Sequence, residues 1–137
     1  MTTDNVRCSG WTICLCIALA LGCVAGAYAS VCPLTIVSGT GEKDGIVLTV
    51  RNYGKLPIRR LEFRCIGSTG KAGSCREENA LFYPGMEYTL RYPYPAGKPG
   101  IVTVAVEDAT MSDGFVWKPS KRQPCRQLHI SPPKARR

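Results

Sequence analysis

His129 is the single histidine of this 137-residue chain, so any Ser/His/Asp or Cys/His mechanism must run through it. It stands in Arg126-Gln127-Leu128-His129-Ile130, four residues after Cys125. A cysteine held in a disulfide cannot serve as a thiolate nucleophile. His129 therefore reads as a surface or strand-edge side chain. Copper fares no better, because a blue-copper site needs two His, a Cys and usually a Met beyond the second His. No Met follows His129, and Met86 and Met111 read as packing residues. Gly67-Ser68-Thr69-Gly70-Lys71-Ala72-Gly73 resembles a phosphate loop only in composition. Cys65 stands where the motif needs its first Gly, and Ala72 where it needs Ser or Thr. The carboxylate doublets Glu77-Glu78 and Glu107-Asp108 point to opposite faces of any strand that carries them. Neither forms a converging acid–base pair, Glu77 and Glu78 read as solvated, and Asp113 reads as a turn residue. These residues predict no catalytic site, no cofactor and no metal centre.

The cysteines have another use. Cys8 to Gly41 carries no charged side chain, and Trp11 to Ala29 ends in Ala27-Tyr28-Ala29 before Ser30. Small residues after such an apolar run are what a secretory signal and its peptidase require. The expected assignment is a signal peptide over 1–29, a domain over 30–130 and a disordered basic tail over 131–137. Two alternatives stay open: an uncleaved anchor, since about 20 apolar residues span a bilayer, and a lipid attached at Cys23. The protein is then secreted or periplasmic, or membrane-anchored and facing away from the cytoplasm. Cys8, Cys14, Cys16 and Cys23 fall in the leader, whereas Cys32, Cys65, Cys75 and Cys125 stay in the domain. An even set in an oxidising compartment predicts two disulfides. Cys65 and Cys75 bracket a loop rich in glycine, which pairs them as near neighbours and leaves Cys32 for Cys125. A zinc site is disfavoured, because such sites use close C-x2-C knuckles.

Charge carries the partner content. Removing 1–29 takes away only Arg7 and Asp4, leaving 17 Lys+Arg against 9 Asp+Glu and a net charge of +8. From Lys118 onward the chain has Lys118, Lys121, Arg122, Arg126, Lys134, Arg136 and Arg137 and no acid. Such a field favours encounters with anionic surfaces. Nucleic acid is disfavoured, because no aromatic residue follows Trp117 to stack on bases. Tyr88 and Tyr92 share an inward phase and read as core, whereas Tyr94, between Pro93 and Pro95, reads as an exposed loop contact.

The elements that must position these groups are strands. Leu34/Ile36, Ile46/Leu48/Val50, Leu61/Phe63/Cys65, Met86/Tyr88/Leu90/Tyr92 and Val102/Val104/Val106 alternate with other residues at period two, the mark of half-buried strands. Turn residues punctuate them at Ser38-Gly39-Thr40-Gly41, Asn52 to Pro57, Tyr83-Pro84-Gly85 and Ser112-Asp113-Gly114. Asn52 turns the chain by hydrogen-bonding nearby backbone. Ile58 is out of phase with Leu61, which predicts a bulge at Arg59-Arg60. No helical stripe interrupts the pattern. The prediction is an all-β, antiparallel, immunoglobulin-like two-sheet sandwich of about seven strands.

Gly45 to Gly54 followed by Pro57-Ile58 and Leu61-Glu62-Phe63 resembles the strand B–turn–strand C passage of bacterial exported immunoglobulin-like domains of the FxLYD type. Tyr83-Pro84-Gly85 and Asp113-Gly114-x-x-Trp117 are similar to such modules as well. The resemblance spans roughly 45–118. It implies a sandwich with a binding or structural role and carries over no ligand residue. The expected function is thus a non-enzymatic exported module. Its partner is an unknown protein or an anionic envelope polymer, reached through Tyr94, Lys118, Lys121, Arg122 and Arg126. Electrostatic binding of polymers or lipid headgroups without a shaped site is the alternative, and a small hydrolase or metal-dependent enzyme a remoter one.

Overall fold

Alternation of apolar and polar side chains builds eight strands, which a computed structural model describes for residues 32–122 and 124–135. Residues 1–31, Gln123, Arg136 and Arg137 lie outside the described residues, and with them the expected signal peptide. The strands are β1 (Leu34–Gly41), β2 (Gly45–Asn52), β3 (Ile58–Gly67), β4 (Ala72–Glu77), β5 (Glu87–Pro93), β6 (Val102–Met111), β7 (Val116–Trp117) and β8 (Leu128–Ile130). They form two antiparallel sheets, one ordered β1-β2-β5, the other β4-β3-β6 with β7 and β8 both paired to β6. Leu34, Ile36, Ile46, Leu48 and Val50 of the first sheet face Leu61, Phe63, Cys65, Val102 and Val104 of the second, and all are buried. Burial of about 25 cal/mol per Å² of apolar surface makes this interlayer the main source of stability.

Two bulges reset the phase. One lies between Ile58 and Arg60, where the sequence predicts it, and lets Ile58 join the core with Leu61. The other skips Glu107, so that Ala109 and Met111 turn inward after Val106. Met86 departs from its expected role. The strand starts one residue later, at Glu87, and Met86 is exposed because the preceding turn carries it outside the sheet.

Both disulfides form as paired from the sequence, Cys32–Cys125 and Cys65–Cys75. The Cys65–Cys75 segment is a strand hairpin more than a loop. Phe63 faces Cys75 and Cys65 faces Gly73, so the two cysteines are diagonal neighbours on one buried face. Cys32–Cys125 has a wider role. Beyond Cys125 the chain runs along β1 and also pairs with β6 through Val102↔Ile130 and Val104↔Leu128. Arg126 donates to the carbonyls of Ile36 and Val37, each at 3.4 Å, beside the β1 bulge. Further along, a Cβ on Gly39 would stand 2.6 Å from Ile130 Cδ1, and one on Gly41 would meet the backbone of Ser131 and Pro132. The two glycines thus admit the segment against β1.

Asn52 is fully buried at the end of β2, and every hydrogen-bonding group of its amide that faces backbone is used. Its Nδ2 donates to the Leu56 carbonyl at 2.9 Å and the Phe82 carbonyl at 2.8 Å, and its Oδ1 accepts from the Gly54 N–H at 2.8 Å. Replacement Asn52→Ala leaves the Leu56 carbonyl and the Gly54 N–H without this partner, while the Phe82 carbonyl keeps the Ile58 N–H at 3.0 Å, and is expected to cost about 3 kcal/mol, read from denaturant midpoints. Opening the bridge with Cys32→Ser and Cys125→Ser is expected to cost about 4.5 kcal/mol. A loss under about 1 kcal/mol in the same assay would contradict the strapping role of the C-terminal segment.

Candidate binding surfaces

The residues singled out for partner contact separate into two groups. Tyr94 is not an exposed loop contact: it is only 5% exposed and belongs to the core. The turn at Tyr94–Gly97 folds its ring back between the sheets, and its hydroxyl donates to the Glu42 carbonyl. Arg126 is solvent-accessible but committed to the β1 carbonyls, so it fastens the fold. Lys118, Lys121 and Arg122 are exposed on the segment that leaves β7 and returns as β8. This segment crosses the outer face of the second sheet, where it covers Ala105 and forms a shallow cleft of about 360 Å³ with Arg64 and Lys121 in its lining.

The neighbouring cations of that face are neutralised. Arg60, Glu62, Arg76 and Glu78 form a closed ring of ion pairs at 3.4–3.9 Å across β3, β4 and the residue after β4. Arg91 pairs with Glu42 at 2.7 Å and Arg51 with Glu87 at 3.9 Å. Such exposed pairs add little stability, a median of about 0–1 kcal/mol each, but they cancel local field. Arg64 makes no ion pair among the described residues, and it leaves the outer face of β3 with a positive site beside Lys121.

The residues tested for chemistry stay apart. His129 is exposed on β8, its Nδ1 2.9 Å from the Thr103 hydroxyl across the β6–β8 ladder. Asp113 caps its own hairpin, accepting from the Phe115 N–H at 3.0 Å. Glu77 differs from the solvated reading: it is half-buried and accepts from the Tyr92 hydroxyl at 3.1 Å, joining β4 to β5 at the far side of the sandwich. Among the described residues no three His, Cys, Asp or Glu side chains gather into a metal-sized cluster. A pocket under Tyr94, Pro95 and Ile101 holds about 50 Å³, far below the roughly 300 Å³ of a small-molecule site.

Sequence reasoning missed an apolar end. Tyr53, Leu56, Leu81, Tyr83, Met86 and Phe115 are each 43–61% exposed. They lie on the turns 53–57, 81–86 and 112–115, which backbone bonds draw together: Gly85 N–H to the Asn52 carbonyl, Phe82 N–H to Ile58, and Ser112 N–H to Pro57. The available signal was the presence of large apolar residues inside turn punctuation, where polar ones are usual.

No family model and no curated protein matches the chain. Among solved structures it is similar to the Northeast Structural Genomics Consortium target SoR45, at 13% identity and a TM-score of 0.39, over 73% of this chain and 83% of that one.

The tyrosine pair sets an alkaline limit on the fold. Burial first, then the charge of Glu77 and its hydrogen bond, hold the Tyr92 pKa well above its ordinary 10.0. Burial, then Glu42 and Asp44, raise Tyr94. The folded state therefore keeps protons that the unfolded chain has lost, so this contribution is complete below about pH 10 and declines as pH rises beyond it. Denaturant midpoints measured from pH 8 to 11 are expected to fall above about 10. That decline is expected to be shallower in Tyr92→Phe; an unchanged slope would remove Tyr92 as its cause.

Proposed function

We propose that this protein is an exported, non-enzymatic binding module of immunoglobulin-like type that recognises an anionic polymer of the cell envelope through its cationic outer face. The observation that carries the reading is the placement of Lys121 beside Arg64 in one cleft, on a segment that also exposes Lys118 and Arg122. Arg64 and Lys121 line one cleft on the outer face of the second sheet, Lys118 and Arg122 are exposed on the same segment as Lys121, which Cys32–Cys125 pins, and Arg60 and Arg76 are tied up in the Arg60–Glu62–Arg76–Glu78 ring. Fixed cations hold their field without the entropy loss that a mobile tail suffers on binding. Two disulfides are compatible with an oxidising compartment, which supports export. The FxLYD-like passage from Gly45 to Ile58 supports the module type.

Shortening the chain after Trp117 is a poor test, because it deletes β8 and Cys125 along with the cations. Charge reversal is the cleaner one. Lys121→Glu with Arg122→Glu is expected to weaken binding to immobilised polyphosphate by about ten-fold or more at low salt, and to flatten its salt dependence. Lys43→Glu with Lys98→Glu, away from this face, serves as the control. Equal losses in both double variants would show that net charge alone acts, with no face selected.

A further inference from the structure

The described exposed large hydrophobic residues are not scattered. Seven of eight lie at one end of the sandwich, and only Ile101 lies at the other. Scattered exposed apolar residues are ordinary; a contiguous group on a small domain marks a contact surface. This end is also where the chain enters the fold. The Tyr53 N–H donates to the Pro33 carbonyl at 2.7 Å, and the Pro33 side chain is in contact range of Gly54. Pro33 follows Cys32 directly, and Cys32 follows the uncharged run of the leader with only Ser30 and Val31 between it and Ala29. Three such residues reach about 10 Å when extended. An apolar run retained in a bilayer would therefore be tethered to the domain at this end.

The side chains suit that surface. Tyr53 and Tyr83 are ring-and-hydroxyl groups of the kind enriched at membrane–water interfaces. Leu56, Leu81, Met86 and Phe115 supply purely apolar area. Arg51 stacks over the Tyr53 ring, 5.2 Å from its centroid, and Lys55 and Arg59 stand on the same turn or next to it. The acids of this end are engaged: Glu87 with Arg51, Glu78 with Arg60 and Arg76, and Asp113 with the Phe115 N–H. Arg51 is offset by Glu87, whereas Arg59 makes no ion pair among the described residues, and a cation beside an aromatic apolar surface suits anionic headgroups over acyl chains.

We infer that the end formed by Tyr53, Leu56, Leu81, Tyr83, Met86 and Phe115 docks on the surface of an anionic lipid bilayer. This surface is separate from the cationic outer face, so either can fail without the other. The test uses the protein as its host exports it, in whichever N-terminal form the host leaves. It is combined with vesicles of phosphatidylcholine and phosphatidylglycerol, with and without brominated acyl chains. Phe115→Trp is expected to lose emission on the brominated vesicles, whereas Ile101→Trp at the opposite end is not; native Trp11 and Trp117 add the same background to both. Adding Tyr53→Ser and Tyr83→Ser to Phe115→Trp is expected to reduce the quenching. Equal quenching at 115 and 101, or none at 115, overturns the inference. So does a dimer in sedimentation that the two serines dissociate while position 115 stays unquenched, since the occupant is then a second copy.

Discussion

A single buried amide organises the end of the molecule that matters most for its surfaces. Asn52 terminates β2, yet its side chain reaches both the turn that follows and the turn before β5, 30 positions along the chain. Only a planar group with two donors and one acceptor satisfies the carbonyls of Leu56 and Phe82 and the N–H of Gly54 at once. Aspartate has the shape without the donors, and leucine the volume without either. The amide itself is fully buried, so the alternative to this arrangement is an unpaired polar side chain at the rim of the core. The loops are therefore held in one geometry, and that geometry turns Phe82 inward while Leu81 and Tyr83 point out. Phe82 packs edge-on against Tyr88, whose hydroxyl accepts from the Tyr83 N–H at 2.8 Å. The display of apolar side chains at this end is thus a consequence of internal hydrogen bonding, and it costs the core nothing.

The opposite constraint acts along the side of the sandwich. Two stacked sheets leave open edges, and here β1 and β6 are closed by the same returning segment. β7 and β8 both pair with β6, at Ala109–Thr110 and Val102–Val104 respectively. Between them the chain departs far enough to bridge Cys125 to Cys32 and to send Arg126 to β1. A paired, covered edge is also protected against adding strands from other chains. On the other side the sheets are joined by the Tyr92–Glu77 hydrogen bond instead. One side is strapped covalently, the other by a polar contact in a partly dry setting.

Period-two alternation made most of this legible. The inward residues of β1, β2, β3 and β5 from Leu90 onward, the bulge beside Arg60, the hairpin at Asp113-Gly114 and both disulfide pairings follow from local chemistry that the chain displays directly. What escaped depends on tertiary placement. The bulge at Glu107 has no local signature, since Val106, Asp108 and Ala109 fit either phase. Tyr94 is flanked by prolines, which reads as a loop, and it is one; its ring is buried because the turn to Gly97 reverses over the open end of the layers. Arg126 looks like any other cation of the tail until β1 is beside it. The strands β4 and β8 are too short or too polar to assert themselves without their partners.

The exposed apolar side chains of this domain gather at one end, apart from the Arg64–Lys121 cleft, and that placement follows the order of the chain. The apolar end gathers around the entry point at Pro33. Lys118, Lys121 and Arg122 are exposed on the segment between β7 and β8, with Lys121 beside Arg64 on the outer face of the second sheet, and the chain then continues past Gly41 toward Lys134 at the other end. The separation of the apolar end from that cleft means that one contact can be made without desolvating the other. The proposed bilayer contact would leave Arg64 and Lys121 in water, where their field reaches about one Debye length, roughly 8–10 Å. A polyanion on that face meets a surface that hydrophobic docking has not consumed. The two surfaces depend on two fixtures, the Asn52 amide at the root of the apolar end and the Cys32–Cys125 bridge at the root of the segment that carries Lys121.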